Sequence, residues 1–164
     1  MNTLNLENIN KQAPYKVTTD TDYPHLYYFH TDFDVDYEIC IKANDTFIPS
    51  GAYALDIRNK FNKPSPGDPK FKATLIAIVE EFFRQNNDVM LYVTETKGMK
   101  QASHNRLFVR WFNTYKHREQ YVIKTAEGEM NGQINFMAII LRKDNPRMQQ
   151  AFDEFDETIT FLFD

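Results

Sequence analysis

The run Asn62-Lys63-Pro64-Ser65-Pro66-Gly67-Asp68-Pro69, leading through Phe71 to Gln85 and on to Val89-Met90-Leu91-Tyr92-Val93, decides the fold class. Its three prolines and one glycine end whatever precedes them. Asp68 stands where a helix N-cap is needed, with Pro69 at the first helical position, so a helix starts there. Phe71, Leu75, Ile78, Val79, Phe82 and Phe83 recur at helical spacing and, with Ile76, form a wide apolar stripe that faces a core. Val89 to Val93 is almost continuously apolar, the pattern of a strand covered on both faces in the middle of a sheet.

Towards the N-terminus, Tyr15 to Thr19, His25 to Phe29, Asp36 to Lys42 and Tyr53 to Arg58 read as short strands of an antiparallel meander. The separators Thr19-Asp20-Thr21-Asp22, Thr31-Asp32-Phe33-Asp34 and Asn44-Asp45 through Gly51 carry turn chemistry. Residues 1–13 read as a flexible tail ahead of a single domain over 14–164. Towards the C-terminus, a second helix is expected over about 101–115, with Leu107, Phe108, Trp111, Phe112 and Tyr115 on one arc and Arg106, Arg110 and Asn113 on the other. Tyr121 to Thr125 and Gln133 to Arg142 form a hairpin across 126–132. Asn145-Pro146 then restarts a helix carrying Met148, Ala151, Phe152 and Phe155. In Thr158 to Phe163 the apolar residues fit a strand and a helix equally well. The expected class is α+β: a mostly antiparallel mixed sheet with three helices, in the order ββββ-α-β-α-ββ-α.

A chain of 164 residues can bury about two-thirds of its unfolded surface around one core, and 14 Phe with 9 Tyr supply large apolar faces for it. No apolar run approaches the roughly 20 residues a bilayer span needs, and Met1 to Lys11 lacks the charge and apolar pattern of an export signal. A soluble, cytoplasmic protein is the expectation. The single cysteine, Cys40, sits in the strand-like run Glu38 to Lys42 and reads as a packing residue.

Several chemistries fail on spacing. The alternating acids Asp32, Asp34, Asp36 and Glu38 begin like a calcium loop, but Tyr37 falls where that loop needs glycine and Ala43 where it needs a bidentate Glu. A solvated acidic hairpin is the better reading. His25, His30, His104 and His117 show no zinc-ligand spacing, so no metal is expected. Nucleophile-elbow, Walker and dinucleotide-binding patterns are absent from the sequence.

Charge is unevenly spread. Residues 97–118 contain Lys97, Lys100, Arg106, Arg110, Lys116 and Arg118 and no acid, so this segment carries +6 within a chain of net −4. Arg106 and Arg110, one helical turn apart, suit phosphate, carboxylate or an RNA backbone, and with Lys100 they form the candidate partner-binding set. The competing reading is intramolecular balance against Asp20 to Glu38 or Asp144 to Asp164. Phe108, Trp111 and Tyr115 lie on the apolar arc, which leaves few rings for base stacking and makes nucleic acid an unfavoured partner.

The order of elements, together with Met90-Leu91-Tyr92-Val93-Thr94-Glu95-Thr96 followed by Gln101-Ala102-Ser103-His104-Asn105-Arg106-Leu107-Phe108, resembles the GNAT-type N-acetyltransferases over Tyr15 to Arg142. That resemblance implies a coenzyme A pyrophosphate held at a helix N-terminus, here the turn Asn62 to Pro69 with Lys63, Ser65 and Gly67 as cofactor-binding candidates. It also implies a tyrosine acid at the position of Phe108, which has no proton to give. His104, Tyr92 or Tyr115 would have to act instead. In the phosphate turn, Asp68 brings negative charge and Pro69 has no N–H. A second resemblance, to small bacterial domains of Bacteroidota type without an assigned activity, rests on Asn105-Arg106-Leu107-Phe108-Val109-Arg110-Trp111-Phe112.

The leading expectation is therefore a GNAT-like scaffold without catalysis or cofactor that binds a protein or a small anionic ligand. The alternative is an acyl-CoA-dependent N-acyltransferase with an atypical phosphate turn and acetyl-CoA as cofactor, and the third is an RNA-binding module. No membrane role is expected, and nothing in the sequence fixes an oligomeric state.

Overall fold

The computed structural model describes residues 1–96, 109–130 and 133–163. Seven strands form one mixed sheet in the order β1-β2-β3-β4-β5-β7-β6: β1 (Thr18–Thr19), β2 (Leu26–His30), β3 (Asp36–Asn44), β4 (Ala52–Asn59), β5 (Met90–Thr96), β6 (Tyr121–Met130) and β7 (Gln133–Arg142). The helices are α1 (Leu6–Gln12), α2 (Pro69–Gln85), α3 (described over 109–114) and α4 (Met148–Phe163), with a short 3-10 turn at Arg118–Gln120. The α+β class and the mostly antiparallel sheet expected from the sequence are present, with β4 and β5 as a parallel pair. Among the described residues, no helix is long and apolar enough to cross a membrane.

The chain divides into two compact units, Met1–Lys42 with Leu55–Asn87, and Ala43–Ala54 with Asp88–Asp164. Two of the boundaries fall inside β3 and β4, so no linker marks them in the sequence.

In the first unit, β2 and β3 pair antiparallel from Leu26↔Cys40 to His30↔Asp36. Their alternation buries Tyr27, Phe29, Tyr37, Ile39 and Ile41. The α2 stripe buries Leu75, Ile78, Phe82 and Phe83, each large side chain contributing about 1.5–3 kcal/mol. At the start of α2, Phe71 meets Tyr37 with ring centroids 4.4 Å apart and Phe29 at 5.8 Å.

Within residues 1–13, expected as a flexible tail, Leu6–Gln12 form the helix α1. A seven-residue helix does not persist alone in water, so the stabilisation comes from contacts outside it. Asn5 caps α1 by accepting from the Asn8 N–H, Ile9 is fully buried, and Glu81 of α2 accepts from the Asn5 backbone N–H at 2.7 Å.

In the second unit, β4 meets β5 at Tyr53↔Met90 and Ala54↔Leu91, and β7 lies between β5 and β6. Phe136 to Leu141 of β7 are all buried, so the strand covered on both faces is β7 as much as β5, where burial stops at Tyr92. Ile48, Ala52, Val89, Leu91, Met137, Ile139 and Leu141 pack with Ala151 and Phe155 of α4.

The ambiguous run 158–163 continues α4, because Ile159 and Leu162 extend the stripe that packs on this cluster. The turn expected over 126–132 is shorter than expected, since β6 runs to Met130. Gly128 lies within that strand, where a Cβ would stand 2.1 Å from the Phe163 ring. The glycine is there for close approach of α4, not for a turn.

Candidate functional site

The connection into α2 is built almost entirely from groups that satisfy one another. Asn59 closes the loop by accepting from the Lys63 N–H at 3.1 Å and donating to the Lys63 carbonyl at 2.7 Å, while Asn62 takes a left-handed φ of 51°. The Lys63 ammonium donates to the Asp34 carbonyl and carboxylate, both at 3.0 Å. That hydrogen bond, reinforced by the lysine charge, holds the Asp34 carboxyl below its usual range. Ser65 Oγ and the Tyr37 hydroxyl share a hydrogen bond of 2.5 Å.

At the N-terminus of α2, Asp68 accepts from the Lys70 N–H at 3.0 Å and from the Tyr15 hydroxyl at 2.7 Å. Burial first, and then the bond to Asp68, push the Tyr15 hydroxyl up from its ordinary value. The Lys70 ammonium is bound to Asp32 at 2.7 Å. Of the three cofactor-binding candidates, Lys63 and Ser65 are thus engaged with Asp34 and Tyr37, and Gly67 has open space about it. At this helix N-terminus the Lys70 N–H is capped by the protein's own Asp68 carboxylate.

The basic segment is arranged differently. Lys97, Lys100, His104 and Arg106 lie outside the described residues. Arg110 on α3, Lys116 and Arg118 are exposed, and Arg118 Nη1 donates to the Asn113 carbonyl at 2.7 Å, closing the C-terminal end of α3. Among the described residues, no ion pair draws on this segment. Trp111, Phe112 and Tyr115 are half-buried, and Tyr115 packs against His117 and Tyr121 with centroids 5.6 and 6.1 Å apart.

A protein-family model matches residues 67–157, more than half of the chain, from the start of α2 well into α4. The chain belongs to that family, a family of unknown function (DUF6169). No curated protein and no solved structure matches it. The DUF6169 match takes in Gly67, the whole basic segment and the β6–β7 hairpin, and it begins after Lys63 and Ser65. Of the catalytic candidates inside it, Tyr92 is 8% exposed in β5 with its ring edge-on to Phe136 at 6.1 Å. Tyr115 follows α3.

Two polar centres inside the DUF6169 match escaped the sequence reading. Glu81 is buried on α2 and accepts from the Asn5 N–H, Asn8 Nδ2, Gln85 Nε2 and Arg84. Burial pushes its carboxyl up, but the hydrogen bonds from Asn5, Gln85, Arg84 and Asn8 together outweigh that and hold it below the usual carboxylate range. The signal was available: Glu81 stands three residues after Ile78, on the apolar stripe.

The other centre is Arg147. It donates to the Ser50 carbonyl at 3.0 Å, to Ser50 Oγ at 2.8 Å and to the Gly51 carbonyl at 3.3 Å, beside a cavity of about 500 Å³. Ser50 Oγ in turn donates to Glu154 at 2.6 Å. This network clamps the β3–β4 turn onto the start of α4. Among the described residues, no group of three or more His, Cys, Asp or Glu side chains is arranged to hold a metal ion. Three acids of the 30–38 run, Asp32, Asp34 and Asp36, are spent on Lys70, Lys63 and His30.

Proposed function

We propose that the protein is a GNAT-like scaffold without acyl transfer that binds a protein or small anionic partner through the basic segment 97–118. One observation carries the reading: Arg110, Lys116 and Arg118 are exposed and form no ion pair with any described acid, so their charge is available to a partner. The GNAT likeness draws support from the order of elements, in which a meander leads through the 59–68 connection into α2, then β5 parallel to β4, then α3 and the β6–β7 hairpin. The non-catalytic reading draws support from Asp68, whose carboxylate stands where the coenzyme phosphate would be held, and from Phe108, which replaces the acid.

Two measurements test this. The Arg106→Glu, Arg110→Glu double variant should lose at least about tenfold in affinity for a fluorescent Glu-rich peptide at low salt. Equal binding by wild type and variant refutes the basic face. Acetyl-CoA should leave the melting temperature unchanged, since a ligand selective for the native state at 100 times its Kd adds about 2.7 kcal/mol. Saturable stabilisation refutes the non-catalytic reading and favours the acyltransferase.

A further inference from the structure

A second candidate site lies within the second unit and draws on no residue of the basic segment. A cavity of about 500 Å³ opens at the β3–β4 turn, lined there by Ala43, Pro49, Ser50 and Gly51, with Asp88 from ahead of β5 and Arg147 from ahead of α4. A cleft of that size suits a small organic molecule.

Arg147 is the informative residue, because its contacts fix where its charged head lies. Nη1 donates to the Ser50 carbonyl and to Ser50 Oγ, and Nη2 donates to the Gly51 carbonyl, so the guanidinium stands against two residues of the cavity wall. Those three bonds leave two of its five N–H groups, one on Nη2 and the one on Nε, without an acceptor among the described residues. The Asp88 carboxylate stands 3.8 Å from Nη2, close enough to feel the charge and too far for a hydrogen bond. No group among the described residues donates a hydrogen bond to it. The Arg147 and Asp88 side chains are 31% and 36% exposed, so both can be reached from solvent.

The cavity thus sets a positive head with spare donors beside a negative head with spare lone pairs. A ligand of a single sign is drawn to one and repelled by the other. A ligand carrying both signs on neighbouring groups satisfies both, with a charge-assisted hydrogen bond on each side. The guanidinium is already held by the β3–β4 turn, so binding does not have to order it. We propose that this cavity binds a small apolar α-amino acid. Its carboxylate accepts from Arg147, its ammonium donates to Asp88, and its side chain lies on Ala43 and Pro49. Asp45, also among the lining residues, adds negative charge that favours the ammonium end.

Calorimetric titration of the full chain with L-valine at low salt tests this. The controls are isobutylamine, which lacks the carboxylate, and 3-methylbutanoate, which lacks the ammonium. Saturable binding of valine is expected, with each control at least about tenfold weaker. Asp88→Asn keeps the shape and removes the charge, and should weaken valine by about tenfold or more. Because Asp88 accepts no hydrogen bond from a described residue, the melting temperature of that variant should stay within ~2 °C of wild type, which separates lost binding from lost folding. Arg147→Lys keeps the charge but not the fork of donors, and should weaken valine while leaving isobutylamine unchanged. The proposal is overturned by an absence of saturable valine binding, by a control that binds as tightly as valine, or by valine affinity that Asp88→Asn leaves unchanged.

Discussion

Replacing Glu81 by Gln tests the claim that one buried carboxylate holds α1 in place. Four donors converge on it: the Asn5 backbone N–H at 2.7 Å, Asn8 Nδ2 at 3.2 Å, Gln85 Nε2 at 3.1 Å, and Arg84. Gln preserves the volume but offers a single acceptor oxygen and turns an NH2 towards groups that are themselves donors. A hydrogen bond to a charged group is worth about 1.5–3 kcal/mol, and a buried donor left unmet costs about 1–3 kcal/mol. Arg84 is 43% exposed, so its ion pair is screened and counts at the low end. Relief from desolvating a charge offsets part of the loss, and a net destabilisation of about 2–3 kcal/mol remains.

In a chain of this length that is a fall of roughly 5–10 °C in melting temperature. Urea denaturation of wild type and Glu81→Gln at a series of pH values is the assay. The sign follows from the direction of the shift: a carboxyl held below its unfolded value stabilises above the unfolded pKa, near about 4.3, and that contribution is lost as pH falls through the lower folded value. The gap between wild type and variant should therefore be full at neutral pH and close in acid. A gap below ~0.5 kcal/mol, or one that does not change with pH, refutes the reasoning.

Two further substitutions probe the second unit. Gly128→Ala places a methyl group against the Phe163 ring and should cost about 1–3 kcal/mol in thermal denaturation, most of it recovered when Phe163→Ala is added. Arg147→Ala removes the donors to Ser50 and Gly51, and because the site is partly open to water it should cost only about 1–2 kcal/mol, read as faster hydrogen exchange in the 48–52 turn.

What could be read from the sequence followed local rules. Asp68-Pro69 marked the start of α2 and its stripe marked the buried face, because caps and periodicity act within a few residues. The α1 helix was invisible for the opposite reason: it is too short to persist alone, and what holds it is Glu81, more than seventy residues away. Gly128 misled because glycine marks both turns and close approaches, and only the position of Phe163 separates the two. The candidate turn was found at Lys63 and Ser65, but their partners Asp34 and Tyr37 lie on elements whose registry no local rule specifies.

Those partners also settle how two features of the sequence relate. The acidic run 32–38 looked like the start of a cation site, and the turn 62–69 looked like an anion site. In the folded first unit they answer each other: Asp32 takes Lys70 and Asp34 takes Lys63, while Asp36 takes His30 and Asp68 takes the helix N-terminus. A ligand of either sign would have to displace a carboxylate or an ammonium already held at 2.7–3.0 Å before it gained any contact of its own. Intramolecular neutralisation, offered at first as the alternative account of the basic segment, is thus the account that fits this turn. The described cations of 97–118 have no such counterpart among the described acids, so their charge is not neutralised in this way.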